Sequence, residues 1–134
     1  MTRLHGADLL VWAPVVGNLL LAAWAGLSSL RGRRLLSPAF WGMLLAVLAL
    51  LIVQVLAGVF LFAGGARPSA GLHVLYGVLV LAAAVAQYGL RPRGFLRARV
   101  GLGSGFPEPR LMALLCFTQA ALLMRAWMTG AFGR

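Results

Sequence analysis

Four stretches of this chain are apolar on every face, and its polar residues gather in the short segments between them. The stretches fall near residues 4–30, 38–63, 69–90 and 109–130, each long enough for an α-helix of roughly 20 residues to cross a hydrocarbon core. Runs such as LLLAAWAGLSSL and FWGMLLAVLALLIVQVLAGVFLF lack the alternating polarity of a membrane β-strand. The pattern therefore predicts an all-α fold, a single four-transmembrane-helix up-down bundle. The first stretch exceeds the apolar region of a signal peptide, which runs about 7 to 15 residues, and only Arg3 precedes it as a positive flank, so it reads as a retained span.

Helix-start signals sharpen the boundaries. Ser37-Pro38 and Glu108-Pro109 open the second and fourth spans, each with proline where a helix has no amide hydrogen bond to lose. Before the third span, Gly64-Gly65-Ala66-Arg67-Pro68-Ser69 supplies a turn and an N-cap serine, and Thr2 is placed to cap the first.

Composition agrees with the membrane class: 62% of residues are hydrophobic and 10% charged, with a mean hydropathy of +0.94. A net charge of +10 read as a sum suggests nucleic-acid binding, but its placement argues for membrane topology and no nucleic acid. All 12 basic residues are arginine. Arg31, Arg33, Arg34, Arg91, Arg93, Arg97, Arg99 and Arg110 lie in the connections after the first and third spans, whereas Arg3, Arg67, Arg125 and Arg134 fall at the other end. The positive-inside rule then puts the two basic connections in the cytoplasm and both termini outside. The absence of lysine beside abundant Ala, Gly, Leu and Arg points to a GC-rich bacterial genome, and so to a bacterial cytoplasmic membrane. The basic connection RPRGFLRARVGLGSGFPEPR also suits anionic headgroups or an acidic partner surface, and ordinary topology determination accounts for it equally.

Two histidines carry the functional expectation, because ionisable side chains inside a membrane are costly and usually have a role. Counted from the N-caps, His5 and His73 differ in depth by only about 1 to 2 Å. Their spans run in the same direction, and in an up-down bundle they take diagonal corners with axes roughly 13 Å apart. That separation suits two imidazoles with an iron between them. Zinc or copper would want more ligands than two histidines and the single Cys116 provide. The expectation is a haem b held by His5 and His73.

Neighbouring residues fit a flat macrocycle. Gly77 follows His73 by four positions and Gly58 follows Gln54 by four, leaving small-residue gaps on those helix faces. Arg67, with Arg3 as a second candidate, is placed to meet a propionate. Asp8 and Trp12 share the helical face of His5, and Asp8 suits the role of orienting that ring. Each has a plainer account: interfacial histidines, glycines for close helix packing, arginines as interface anchors, and Asp8 as a first-turn acid favoured by the helix dipole.

Residues 54–81, QVLAGVFLFAGGARPSAGLHVLYGVLVL, resemble the haem A synthase family. That family carries a Gln-x-x-x-Gly element late in one helix, a Gly/Pro-containing outer turn, and a haem b-ligating histidine early in the next helix. The resemblance implies that Gln54 and Gly58 match the helix element, Gly65 and Pro68 the turn, and His73 the ligand, with His5 as partner ligand. The departures are specific. The family places ligands on the second and fourth helices of each four-helix half, whereas here they fall on the first and third spans. The glutamate-and-histidine element of the family's catalytic ligand is absent from TRLHGAD, and so is a paired-cysteine outer loop. Oxidation of a haem methyl group is therefore not expected.

Other classes lose their chemistry on residue content. One cysteine cannot form the Cys-x-x-Cys pair of a thiol oxidoreductase. Neither Asp8 nor Glu108 lies deep enough to couple protons in a small exporter. GLGSG at 101–105 lacks the following Lys-Ser or Lys-Thr of a phosphate loop. Asn18, Gln54, Gln87, Thr118 and Gln119 read as interhelical hydrogen-bonding residues. Asn18 and Gln87 lie roughly 20 Å below the histidines by the helical rise.

The leading expectation is a haem b-binding membrane protein with bis-histidine ligation near the outer leaflet, serving electron transfer or haem handling as a subunit of a respiratory complex, and so an electron-transfer or haem-binding protein rather than an enzyme by itself. The second is a cofactor-free accessory subunit or assembly factor of a larger membrane complex. Ligation within one chain and ligation across two copies both remain open.

Overall fold

The computed structural model describes residues 8–65, 71–100 and 107–131. Four helices follow one another: α1 (Asp8–Leu30), α2 (Pro38–Ala63), α3 (Gly71–Gly89) and α4 (Glu108–Ala131). Each is long and apolar enough to cross a membrane, and the fold is all-helical over the described residues, as the apolar pattern predicts. His5 and Arg67 lie outside those residues, as do Thr2 and Ser69.

The helix starts follow local chemistry. Ser37 caps α2, its hydroxyl accepting from the Phe40 amide at 3.3 Å, with Pro38 behind it. Pro14 sits inside α1, where it removes one backbone donor. The Asn18 side-chain amide donates to the Pro14 carbonyl at 2.9 Å, so the polar side chain is partly satisfied within its own helix.

The helices form a ring in which α1 and α4 share the broadest interface. α3 packs on α4 and α2 on α1, while α2 and α3 barely meet. The backbones of α1 and α3 stay apart, consistent with diagonal corners, and side chains alone bridge them. Along α1 the buried positions Val11, Asn18, Leu21, Ala25 and Ser28 recur at helical spacing, and along α4 Met112, Cys116, Gln119 and Leu123 do the same. Thr118 lies on the opposite side of α4 and is exposed. It does not join the buried polar set expected of it, because two residues from Cys116 is about 200° around the helix.

Gly17 permits the close approach of α1 to α2, since a Cβ built there would stand 2.6 Å from Val47 Cγ2. Valine is stiff at this bond, so the helices must part to admit a methyl group. Gly17→Ala is expected to cost about 1–3 kcal/mol, read as easier unfolding in detergent followed by circular dichroism. The companion change Val47→Ala should recover part of that loss, and a G17A/V47A variant no more stable than G17A would show that the two helices do not meet here.

The end of the bundle carrying the α1–α2 and α3–α4 connections is clamped by a buried acid. Glu108 is the first residue of α4, where the sequence opens the fourth span, and is only 2% exposed. One of its oxygens accepts from the Leu36 amide at 2.7 Å, and the other pairs with the Arg97 guanidinium. Arg97 also donates to the Leu90 carbonyl at 3.2 Å. A single carboxylate thus ties α4 to both connections.

The core is uneven along the membrane axis. α2 buries Phe40, Trp41, Leu44, Val47, Leu48 and Leu51, then only Ala57 beyond them. α3 buries Val80, Ala84, Gln87 and Gly89, all in its second half. The half nearest the clamp is packed, and the far half of the α2–α3 seam is not.

Candidate functional site

His73 lies at the thinly packed end, near the start of α3, and is half-buried against α4. Its Nδ1 is 2.8 Å from the Ala126 carbonyl oxygen. A carbonyl can only accept, so Nδ1 carries the proton and the ring's lone pair is on Nε2. Gly130 makes this seat possible, because a Cβ built there would lie 2.8 Å from both Cε1 and Nδ1 of the ring. The Ala126 carbonyl also accepts from the Thr129 hydroxyl at 3.0 Å.

One turn further along α3, a Cβ built at Gly77 would meet nothing within 4 Å. Among the described residues Gly77 therefore serves no close helix packing, and it leaves space on the face that follows His73. Across the seam Gln54 and Gly58 on α2 are both half-buried. His73 and Gly77 thus lie one turn apart on α3, with the His73 ring turned to α4, while Gln54 and Gly58 lie on α2.

Trp12 is placed differently. It is 38% exposed on α1, with its ring centroid 5.5 Å from that of Trp127 on α4. There it lines a shallow apolar groove of about 240 Å³ with Val15, Leu19, Phe117 and Met124. Its contacts lie in the α1–α4 seam, whereas His73 occupies the α3–α4 seam. Asp8 is the first residue of α1, and its side chain lies outside what the structure describes.

Two residues near His73 were not assigned to the site from the sequence. Gly130 carries no local signal, because its role depends on a ring 57 positions earlier in the chain (130 − 73). Arg125 did carry one, as a charge inside an apolar span. Its guanidinium carbon stands 5.5 Å from the centroid of Tyr76, in the turn after His73.

Deeper in the bundle, the expected hydrogen-bonding residues do meet. The Gln87 amide donates to Asn18 Oδ1 at 2.8 Å and faces Cys116 Sγ at 3.4 Å, joining α3, α1 and α4. Gln119 donates to the Val80 carbonyl at 3.2 Å. Asn18, Gln87 and Gln119 are fully buried. Among the described residues no group of three or more His, Cys, Asp or Glu gathers that could hold a bare metal ion.

No family model, curated protein or solved structure matches the chain.

Proposed function

We propose that the chain is a haem b-binding membrane protein in which His73 Nε2 is one axial ligand. The observation that carries this reading is the hydrogen bond from Nδ1–H to the Ala126 carbonyl. Histidines that ligate metals commonly donate their other ring proton to a carbonyl or carboxylate, which fixes the tautomer and the ring plane and raises ligand basicity. Gly77 and the thinly packed α2–α3 seam supply room beside the ligand for a flat macrocycle. The second ligand is His5 of the same chain, or His73 of a second copy.

Haem b supplies a one-electron iron couple, and two imidazoles leave no coordination position for oxygen. The chain's own residues then hold and orient the ligand: Ala126 accepts its proton, Gly130 admits its ring, and Gln54 and Gly58 border the seam. Arg125, alongside Arg67, offers a cation to the propionates. The arginine distribution supports a position near the outer leaflet of a bacterial cytoplasmic membrane with both termini outside, and a role in electron transfer or haem handling within a respiratory complex. A second reading, a cofactor-free accessory subunit, is favoured by the same hydrogen bond, because it also joins α3 to α4.

A reduced-minus-oxidised visible spectrum of the detergent-purified protein, expressed with ample haem, separates the two. Sharp low-spin bands at near one haem per pair of ligands are expected. A featureless spectrum overturns haem binding and leaves the accessory subunit.

A further inference from the structure

At the clamped end of the bundle, a groove of about 620 Å³ runs between the start of α2 and the turn that follows α3. Its apolar wall is Leu36, Pro38, Gly42 and Leu45, and its polar wall is Arg91 and Arg93, with Trp41 between them. Trp41 is only 6% exposed, yet its indole N–H has no hydrogen-bond partner. The Nε of Arg91 is likewise buried and without one. Buried donors left unsatisfied are costly. Both belong to side chains that line one groove beside a further cation, a setting that suits an anion with several acceptor oxygens.

The wall is held in place before any ligand arrives. The Arg91 guanidinium carbon stacks 3.8 Å above the Tyr88 ring. The turn folds back on α3 through Leu96 N–H to the Gly89 carbonyl at 3.0 Å and Gly94 N–H to the Arg91 carbonyl at 2.7 Å. Arg93 adopts φ 64, a left-handed conformation unusual for arginine.

We infer that this groove binds the phosphate of an anionic phospholipid headgroup, with Arg91, Arg93 and the Trp41 indole N–H as its donors and the Leu36–Leu45 wall against the start of an acyl chain. The position is right for a lipid: Trp41 is four residues into a membrane-spanning helix, at the depth where aromatic belts meet headgroups. The charge is right for an anionic one, since no acidic side chain lines the groove. An apolar wall has no use for inorganic phosphate, which distinguishes the lipid from a soluble anion of the same chemistry.

The full chain, released from nanodiscs of equal phosphatidylglycerol and phosphatidylcholine and weighed by native mass spectrometry, is expected to retain one phosphatidylglycerol. Arg91→Gln and Arg93→Asn should each lower its apparent affinity about fivefold, in line with roughly 1 kcal/mol per basic residue near a headgroup. Asparagine is chosen at 93 because it tolerates positive φ, so charge is removed without worsening the backbone. Trp41→Phe keeps the ring and deletes the donor, and should also weaken retention while unfolding as wild type by circular dichroism. Equal retention of both lipids, or retention unchanged in all three variants, overturns the site. Displacement of the lipid by millimolar inorganic phosphate, with phosphate bound equally well in lipid-free detergent, overturns the lipid assignment.

Discussion

His73→Ala is expected to abolish the low-spin haem spectrum while the bundle stays folded. The His73 imidazole carries a lone pair suited to iron, and alanine offers none. Its removal also breaks one bond between α3 and α4, but α4 keeps Gln119 to Val80 and a continuous apolar stripe against its neighbours. Circular dichroism should therefore change little. With ligation within one chain, His5→Ala should give the same spectral loss and the double variant no more than either single one; an intact spectrum in H5A with loss in H73A points to His73 of a second copy.

Gly130→Ala is the sharper control. Its methyl group would press on the His73 ring at 2.8 Å, displacing the imidazole without altering its chemistry. Lower haem occupancy or a shifted midpoint potential with normal folding supports the ligand role. Full occupancy and an unchanged potential in G130A, together with an unaltered spectrum in H73A, would exclude His73 as a ligand.

Glu108→Ala is expected to be the most damaging single change to the fold, about 3–5 kcal/mol if the Arg97 cation is left without its partner. Two losses add. The Leu36 amide forfeits its acceptor, and the Arg97 guanidinium, held to the Leu90 carbonyl, keeps its place with no counter-charge. Glu108→Gln retains an oxygen for Leu36 and should fall between wild type and alanine. In the double variant E108A/R97M the unpaired cation is gone, so unfolding in detergent should recover relative to E108A. Additive losses instead would mean that the two side chains act independently.

The four spans, and the Ser37 cap of the second, were legible because lipid leaves the chain few alternatives: an uninterrupted apolar run must satisfy its backbone internally. Asn18 and Gln87 were legible for a related reason, as isolated amides in apolar helices seek one another. The role of Glu108 was not. Its sequence neighbours mark a helix start, and only the fold brings Leu36 and Arg97 to it from either side. Trp12 shows the limit of helical-face arithmetic, which aligned it with His5 yet could not tell that its ring would turn to Trp127. Gly130 and Trp41 became informative only through what stands opposite them.

The broad α1–α4 interface sets an order on biosynthesis. α1 ends at Leu30 and α4 begins at Glu108, so a ribosome working at about 5–20 residues per second leaves α1 waiting roughly 4 to 16 s for its main partner. Until then the face of α1 that α4 will cover meets lipid, the earlier helices or an insertion factor. The chain is most vulnerable to membrane quality control in that interval, and the last helix to emerge is the one that ends it.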